Sequence, residues 1–242
     1  MPSVQKALND EAEAYLQAAE VVGFNQAMRV LNLTNEKLLS TINKMHLEVA
    51  KLYGTRINAE LTRGQKLSFF DINFAQIINE ILTREGLNLL QLIEQVTKEK
   101  ILKVLLQRNT EQWTFLDTAR RITAVIANPA RALTITRTES NRAANLAAFE
   151  AAKMQPYQVT KRWIATIDNR TRRFAEDDFD HAKLDGQVQD LDVPFTQLGK
   201  NGQEAVVDCP CDPKGPAGFT INCRCVLGFQ NKRDAAGKLI PK

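Results

Sequence analysis

The sequence has no apolar run that approaches the roughly 20 residues of a membrane-spanning helix. Residues 1–14 are polar and acidic and do not resemble a signal peptide. No glycine-rich phosphate loop and no H-E-x-x-H motif is present, and no spacing fixes a nucleophile beside a base. We therefore expect no membrane contact, a location in the cytoplasm in which the protein is made, and no enzymatic activity.

The net charge is small, and histidine is rare. The formal net charge is +4, without the dense clusters of Lys and Arg that are typical of nucleic-acid-binding surfaces. The two histidines are His46 and His181. Apolar residues make up 44% of the 242 residues, which is enough to bury a core in one large domain or two ordinary ones. The chain is therefore globular, but its charge does not identify a partner.

Apolar residues recur every three or four positions through the first half, which predicts helices. Ser3 is the expected N-cap of the first helix, and Gly23 is expected to interrupt it. Farther on, the steps alternate between four and three, as in a coiled-coil seam, at Leu38, Ile42, Met45, Val49 and Leu52. The partner of this seam is expected to be another helix of the chain, with a neighbouring subunit as the alternative. His46 lies beside the seam and is expected to be solvated.

Several short signals predict where the later helices begin and end. Gly54 and Gly64 predict a break before a buried apolar helix, and Gly86 predicts its end. Further predictions are a helix to Gln107, a helix from Glu111 to Ala127 capped by Asn109 and Thr110, and a helix to Lys153 that opens with a capping box at Thr136–Glu139.

These patterns predict an α+β protein. The mostly helical region covers residues 1–130, a small domain with a few short strands covers 131–230, and 231–242 form a loose tail. The helix after the capping box is assigned to the second domain.

Residues 163–225 contain all four cysteines and His181. The motifs occur in the order D-x-R-T-R, His, L-D-G, D-x-P-F, D-P and N-C-R-C, and R-T-E followed by N-R-A stands upstream. This arrangement resembles the phage Mu F-like minor head protein family. Its residues here are Arg137, Thr138, Glu139, Asn141, Arg142, Ala143, Asp168, Arg170, Thr171, Arg172, His181, Leu184, Asp185, Gly186, Asp192, Pro194, Phe195, Asp212, Pro213, Asn222, Cys223, Arg224 and Cys225. Two departures are a longer interval before His181 and a C-P-C-D-P run where the family more usually has an aromatic residue and a glycine.

The resemblance implies a minor virion component that acts in head morphogenesis and is associated with the portal. The expected partners are the portal protein, with scaffold and major coat protein as further candidates, and packaged DNA. The expected locations are the host cytoplasm during assembly and then the head or portal vertex of the virion. Some related domains are attached to toxins.

Charged residues of this region invite two interpretations. They are Arg137, Glu139, Asp168, Arg170, Arg172, His181 and Asp185. We expect a structural network in which arginines bind carboxylates. The alternative is a nuclease-like or ADP-ribosyl-transferring enzyme built from the same residue types.

The cysteines form two C-x-C pairs, and the predicted zinc ligands are Cys209, Cys211, Cys223 and Cys225, with His181 in reserve. On an extended chain, both sulfurs of a C-x-C pair lie on one side, so two facing pairs could supply a tetrahedral structural site. Disulfides between the pairs are the alternative, although a reducing cytoplasm disfavours them. A zinc-dependent module that binds nucleic acid through Arg120, Arg121, Arg131 and Arg137 is a further alternative.

Overall fold

The computed structural model describes residues 2–62 and 70–242, with the side chains at 2, 30, 32–35, 70–73, 75, 78–79 and 82–92 left undescribed. The described chain is helical up to Lys153 and then forms short strands and helical turns, so the α+β prediction is confirmed. The long helices are α1 (Pro2–Val22), α3 (Val30–Thr62), α4 (Phe70–Glu111), α5 (Phe115–Ile126) and α6 (Pro129–Lys153), and α2 (Phe24–Ala27) is a short turn. In the part of the chain that the structure describes, no helix is long and apolar enough to cross a membrane.

Glycines ended fewer helices than predicted. Gly23 does separate α1 from α2, with a φ of 83° that favours glycine. Gly54 and Gly86 lie inside α3 and α4, so those two boundaries are wrong. At Gly54 the reason is packing, because an added Cβ would lie 2.0 Å from the ring of Phe74. The predicted break at Gly64 lies outside the described residues.

The caps of the later helices also lie elsewhere than predicted. Thr114, and not Asn109 or Thr110, caps α5, since its Oγ1 accepts a hydrogen bond from the Asp117 N–H at 3.1 Å. Asn128 caps α6 through a bond from the Ala130 N–H at 2.8 Å. The predicted capping box at Thr136–Glu139 is therefore wrong, because these residues lie inside α6.

The chain divides into two compact units. We call Met1–Lys44 with Thr83–Thr136 the helical unit, and Met45–Leu82 with Arg137–Lys242 the cysteine unit. This division groups residues differently from the predicted domains, which were contiguous in sequence. The helices α3, α4 and α6 each contribute residues to both units.

Apolar rows on several helices form the core of the helical unit. One cluster includes Tyr15, Leu31, Ile101 and Ile122, which come from four different helices. In a second cluster, Leu38 and Ile42 pack with Leu8 of α1. This part of the predicted seam therefore has its partner within the same chain.

The strands of the cysteine unit form one sheet and one hairpin. In the sheet, β1 (Val159–Ile164) lies between β2 (Val188–Asp190) and β5 (Val226–Asn231), and both pairings are antiparallel. The hairpin joins β3 (Phe195–Leu198) to β4 (Glu204–Val207). Two short helical turns complete the unit, α7 (His181–Leu184) and α8 (Ala217–Thr220).

Strand β1 supplies the centre of the apolar core in the cysteine unit. Trp163 is fully buried and packs edge-on against Phe195, with ring centroids 5.2 Å apart. Lys161 points inward on the same strand, where its ammonium donates to the Asp208 carbonyl at 3.0 Å. The tail predicted to be loose carries isolated bridges between Tyr157 and Pro241 and between Arg233 and Leu239.

Candidate metal centre

His181 and two cysteines form a buried group in the cysteine unit. The Nδ1 atom of His181 lies 3.4 Å from the Cys225 sulfur and 3.6 Å from the Cys223 sulfur. The three ligand atoms all lie within 4.8 Å of one another, and all three residues are buried. An imidazole nitrogen and thiolates at this separation are the donors that zinc prefers. The described residues therefore contain a group that could hold a metal ion.

The start of α7 fixes the position of His181. Asp180 caps this turn by accepting a bond from the Lys183 N–H at 3.1 Å, and the His181 N–H donates to the Arg172 carbonyl at 3.0 Å. The imidazole then packs against the ring of Phe219 at 4.5 Å between centroids. These contacts hold Nδ1 toward the sulfurs.

Cys211 lies beside this group, and Cys209 does not. The Cys211 thiol hydrogen bonds with Cys223, and its sulfur lies 3.5 Å from the Cys223 carbonyl oxygen. Cys209 is also buried, but its charged neighbours are Asp208, Asp212 and Lys161. Of the four cysteines predicted as ligands, the structure thus groups Cys223 and Cys225 with His181, the predicted reserve, and it places Cys211 next to Cys223.

Two residues with positive φ shape the loops that carry the sulfurs. Cys211 has a φ of 60° and Asn222 a φ of 58°, in the left-handed region that non-glycine residues rarely adopt. The Asn222 N–H donates to the Thr138 hydroxyl of α6 at 2.9 Å. The backbone at Cys211 is therefore not extended, and the alternation that would place both sulfurs of Cys209 and Cys211 on one side does not apply.

Helix α6 binds the backbone of both loops with polar side chains. The Asn141 amide donates to the carbonyls of Cys223 at 2.9 Å and Cys225 at 3.0 Å. The Arg142 Nε donates to the Cys211 carbonyl at 2.9 Å. Asn145 donates to the Cys225 carbonyl and accepts from the Leu227 N–H at 3.0 Å. Three neighbouring residues of one helix thus fix the carbonyls of all three clustered cysteines.

Hydrogen bonds among the clustered thiols shift their pKa values in opposite directions. Those from Cys211 and Cys225 lower the pKa of Cys223 well below its usual value, which favours a thiolate there. The bond to Cys223, aided by burial, raises the pKa of Cys211 and that of Cys225. Burial raises the pKa of Cys209. Cys223 is therefore the thiolate acceptor of the group.

The charged residues predicted as a network make contacts both with each other and with the backbone, including a bond from the Arg170 N–H to the Asp168 carboxylate at 2.8 Å. Asp168 pairs with both guanidinium nitrogens of Arg224, and this hydrogen bonding lowers the pKa of the carboxyl below its usual range. Arg172 donates to the Ile221 carbonyl, and Asp185 accepts from the Ala165 N–H at 2.9 Å. Arg137 and Arg170 are exposed.

Glu139 forms a buried cluster with Arg142 of the motif and with His46, which the motif does not include. Its carboxylate accepts from Arg142 Nη1 at 2.8 and 2.9 Å and lies 3.1 Å from His46 Nε2. The expectation that His46 is solvated is wrong, since only 1% of it is exposed. The seam periodicity gave no sign of this, because the partner of His46 is 93 residues away in sequence.

The motif order and the described geometry agree with a comparison against family models. The model of the family described as "Phage Mu protein F like protein" matches residues 84–228. The chain belongs to this family. The phage Mu F-like match covers α5, α6 and the whole metal-binding candidate group, which links the quoted motifs to the buried site.

One curated relative of the phage Mu F-like chain is an enzyme. The chain is 35% identical over 103 residues to the NAD(+)--arginine ADP-ribosyltransferase EFV of Enterococcus faecalis (strain ATCC 700802 / V583). The match covers 39% of this chain and 18% of that protein, so the chain spans less than a fifth of the relative's length. No solved structure matches the chain.

Proposed function

We propose that this chain is a phage minor head protein that acts in head morphogenesis in association with the portal. The observation that carries the proposal is the family match over residues 84–228. The geometry supports a structural role, because the conspicuous acid, base and arginine of the motif, Glu139, His181 and Arg142, are all buried. The Glu139 carboxylate and the Arg142 guanidinium bind each other and the Cys211 carbonyl, away from solvent.

The helical unit supplies candidate surfaces for docking to the portal. Leu106 of α4 is 69% exposed, and Leu116 of α5 is 58% exposed. Amphipathic helices that dock on a partner do so through exposed apolar residues of this kind. The portal protein is the proposed partner, and scaffold, major coat protein and packaged DNA are further candidates. The virion head and, during assembly, the host cytoplasm are the proposed locations.

Deletion and co-purification test this function. Deleting the gene from the phage or prophage that carries it should reduce the yield of filled heads, and the tagged chain should retain the portal protein. Leu106→Asp should weaken retention. Leu198→Asp is a matched control, because Leu198 is 65% exposed on β3 of the cysteine unit. Normal head yield after deletion, together with no association with any capsid component, would refute the proposal.

The relative from Enterococcus faecalis raises ADP-ribosyl transfer to arginine as a second candidate function. Its partial match supports a shared module more than a shared activity, since most of that enzyme lies outside the alignment. Incubating the chain with labelled NAD⁺ and an arginine-containing protein should give no labelled product. Labelling that disappears in a Glu139→Gln variant with unchanged folding would favour the enzyme.

The buried His181, Cys223 and Cys225 group supports a structural zinc ion as the cofactor. Zinc fits these donors, and the loops around the group have little regular structure, so metal ligation would stabilise them. Elemental analysis of protein purified without added metal should find one equivalent of zinc. Absence of zinc, together with no uptake when zinc is supplied, would refute this cofactor.

A further inference from the structure

The geometry points to Cys211 as the fourth ligand of the metal centre, with Cys209 left outside it as a packing residue. This inference rests on the proposed zinc ion and changes its ligand set from four cysteines to Cys211, Cys223, Cys225 and His181. It also assigns a positioning role to Asn141.

The group of His181, Cys223 and Cys225 is one donor short of a structural site. Structural zinc is almost always bound by four protein ligands, whereas an open fourth position is typical of catalytic zinc. Cys223 and Cys225 are each only 3% exposed, and His181 is 2% exposed. A fourth ligand must therefore come from the protein interior.

Cys211 is the residue placed to supply that ligand. The Cys211 sulfur accepts from the Asn141 amide at 3.4 Å and lies 3.5 Å from the carbonyl oxygens of Thr220 and Cys223, and its thiol interacts with that of Cys223. Contacts of that length are weak and easily exchanged for a metal bond. Its left-handed φ of 60° turns the chain at this position.

Cys209 lies on the other side of this turn. Its carbonyl accepts from the Asp212 N–H at 3.2 Å, and its charged neighbours are Asp212, Asp208, Lys161 and Arg142. Among the described residues, its sulfur has no contact with His181, Cys223 or Cys225. A single C-x-C pair is thus divided between two environments.

Asn141 connects the proposed ligands to helix α6. One amide nitrogen contacts the Cys211 sulfur at 3.4 Å and the carbonyls of Cys223 at 2.9 Å and Cys225 at 3.0 Å. A donor beside a thiolate stabilises its charge and orients it, as outer partners of metal ligands commonly do. Asn141 is therefore a positioning residue.

Binding is balanced by proton release. All three cysteines bind as thiolates and neutral His181 donates a lone pair from Nδ1, so Zn²⁺ displaces the protons that remain on the thiols and the centre carries one negative charge. No oxidant is involved. The ion would join the loops at 211 and 223–225 to the start of α7.

Metal content and cobalt absorption of the full chain test the ligand set. Wild type and Cys209→Ser should each hold one equivalent of zinc, whereas Cys211→Ser should fall well below one equivalent. With Co²⁺ in place of zinc, the thiolate-to-metal absorption of Cys209→Ser should match wild type. If Cys211→Ser still takes up Co²⁺, its thiolate-to-metal absorption should fall by about one third, because one of three thiolate ligands is missing. Asn141→Ala should weaken binding by about 10–100-fold.

Further variants keep the inference testable if Cys211→Ser folds poorly. Cys211→His retains a zinc ligand and should recover binding. Full zinc and unchanged cobalt absorption in Cys211→Ser, with loss in Cys209→Ser, would overturn the ligand assignment and leave the zinc proposal standing. Wild type that binds neither metal would overturn both. Neither result depends on association with the portal.

Discussion

The helical unit and the cysteine unit are held together by different kinds of contact. In the helical unit, apolar rows from four helices meet, and the buried Glu11 has a carboxylate oxygen without a hydrogen-bond partner among the described residues. In the cysteine unit, side chains of α6 donate to the backbone carbonyls of Cys211 and Cys225, which lie outside the helices and strands. Helices satisfy their own backbone groups, whereas irregular loops need side chains to do so.

This difference predicts where single polar substitutions matter. In the cysteine unit, removing one polar side chain leaves several buried groups unpaired, which costs stability. In the helical unit, removing the charge of Glu11 should increase stability, because the attraction of Arg131 offsets only part of the cost of its burial. Hydrogen exchange resolved by segment is the suitable measurement, since a two-unit chain need not unfold in one step.

The largest loss is expected from Arg142→Met in the cysteine unit. This change leaves the Glu139 carboxylate buried without its guanidinium and the Cys211 carbonyl without its donor. Breaking a buried pair from one side typically costs about 3–5 kcal/mol. Exchange of β1 and β5 amides should accelerate accordingly. The double variant Glu139→Gln with Arg142→Met should recover a large part of the loss, and equal stability of both variants would contradict the buried pair.

Glu11→Gln in the helical unit is expected to act in the opposite direction. Burial, opposed by Arg131 and aided by Glu94, raises the pKa of Glu11 from 4.5 to about 7. The unfolded chain therefore loses this proton first as pH rises. Protonated Glu11 therefore contributes to the stability of the folded chain fully below pH 4.5, and this contribution is lost as pH rises through about 7.

This pKa shift lowers the free energy of unfolding by about 3 kcal/mol as pH rises from 4.5 to about 7. Glu11→Gln should remove that pH dependence and be more stable than wild type at pH 8. Denaturant unfolding measured at several pH values checks this. Glu13→Gln is the control, since Glu13 is exposed on the same helix. A wild type whose helical unit gains stability between pH 5 and 8 would contradict the sign.

The sequence predicted the parts of the fold that follow from the spacing of apolar residues. The rows through Leu38 and Ile42 predicted a helical partner, and the structure places Leu8 there. Gly54 was misread as a break because its neighbour Phe74 is distant in sequence. The cysteines and His181 marked the candidate metal centre, but the left-handed φ at Cys211, which gives Cys209 and Cys211 different surroundings, is not encoded in their spacing. Asn141 and Asn145 looked like ordinary polar positions of a helix.

A smaller loss is expected from Asn145→Ala in the cysteine unit. Asn145 is 2% exposed, and its amide binds the Cys225 carbonyl at 3.2 Å and the Leu227 N–H at 3.0 Å. The change leaves the Leu227 N–H without its acceptor, whereas the Cys225 carbonyl keeps its bond from Asn141, and the loss should be about 1–3 kcal/mol. Faster exchange at the Leu227 amide is the direct measurement. Asn169→Ala is the control, because Asn169 is exposed, and equal effects of the two changes would contradict the role of burial.

The smallest effect is expected from Thr114→Ala in the helical unit, where a polar side chain does bind the backbone. Thr114 Oγ1 accepts from the Asp117 N–H at 3.1 Å, so its removal leaves one donor at the start of α5 without a partner. Because this end of the helix is exposed, water replaces the bond, and the loss should be about 1 kcal/mol. Thr114→Ser keeps the hydroxyl and should retain most of the stability, whereas Thr110→Ala should have little effect, since that residue lies inside α4. Exchange of the first amides of α5 should accelerate in Thr114→Ala only. A larger effect from Thr110→Ala would restore the boundary predicted from sequence and would contradict the cap at Thr114.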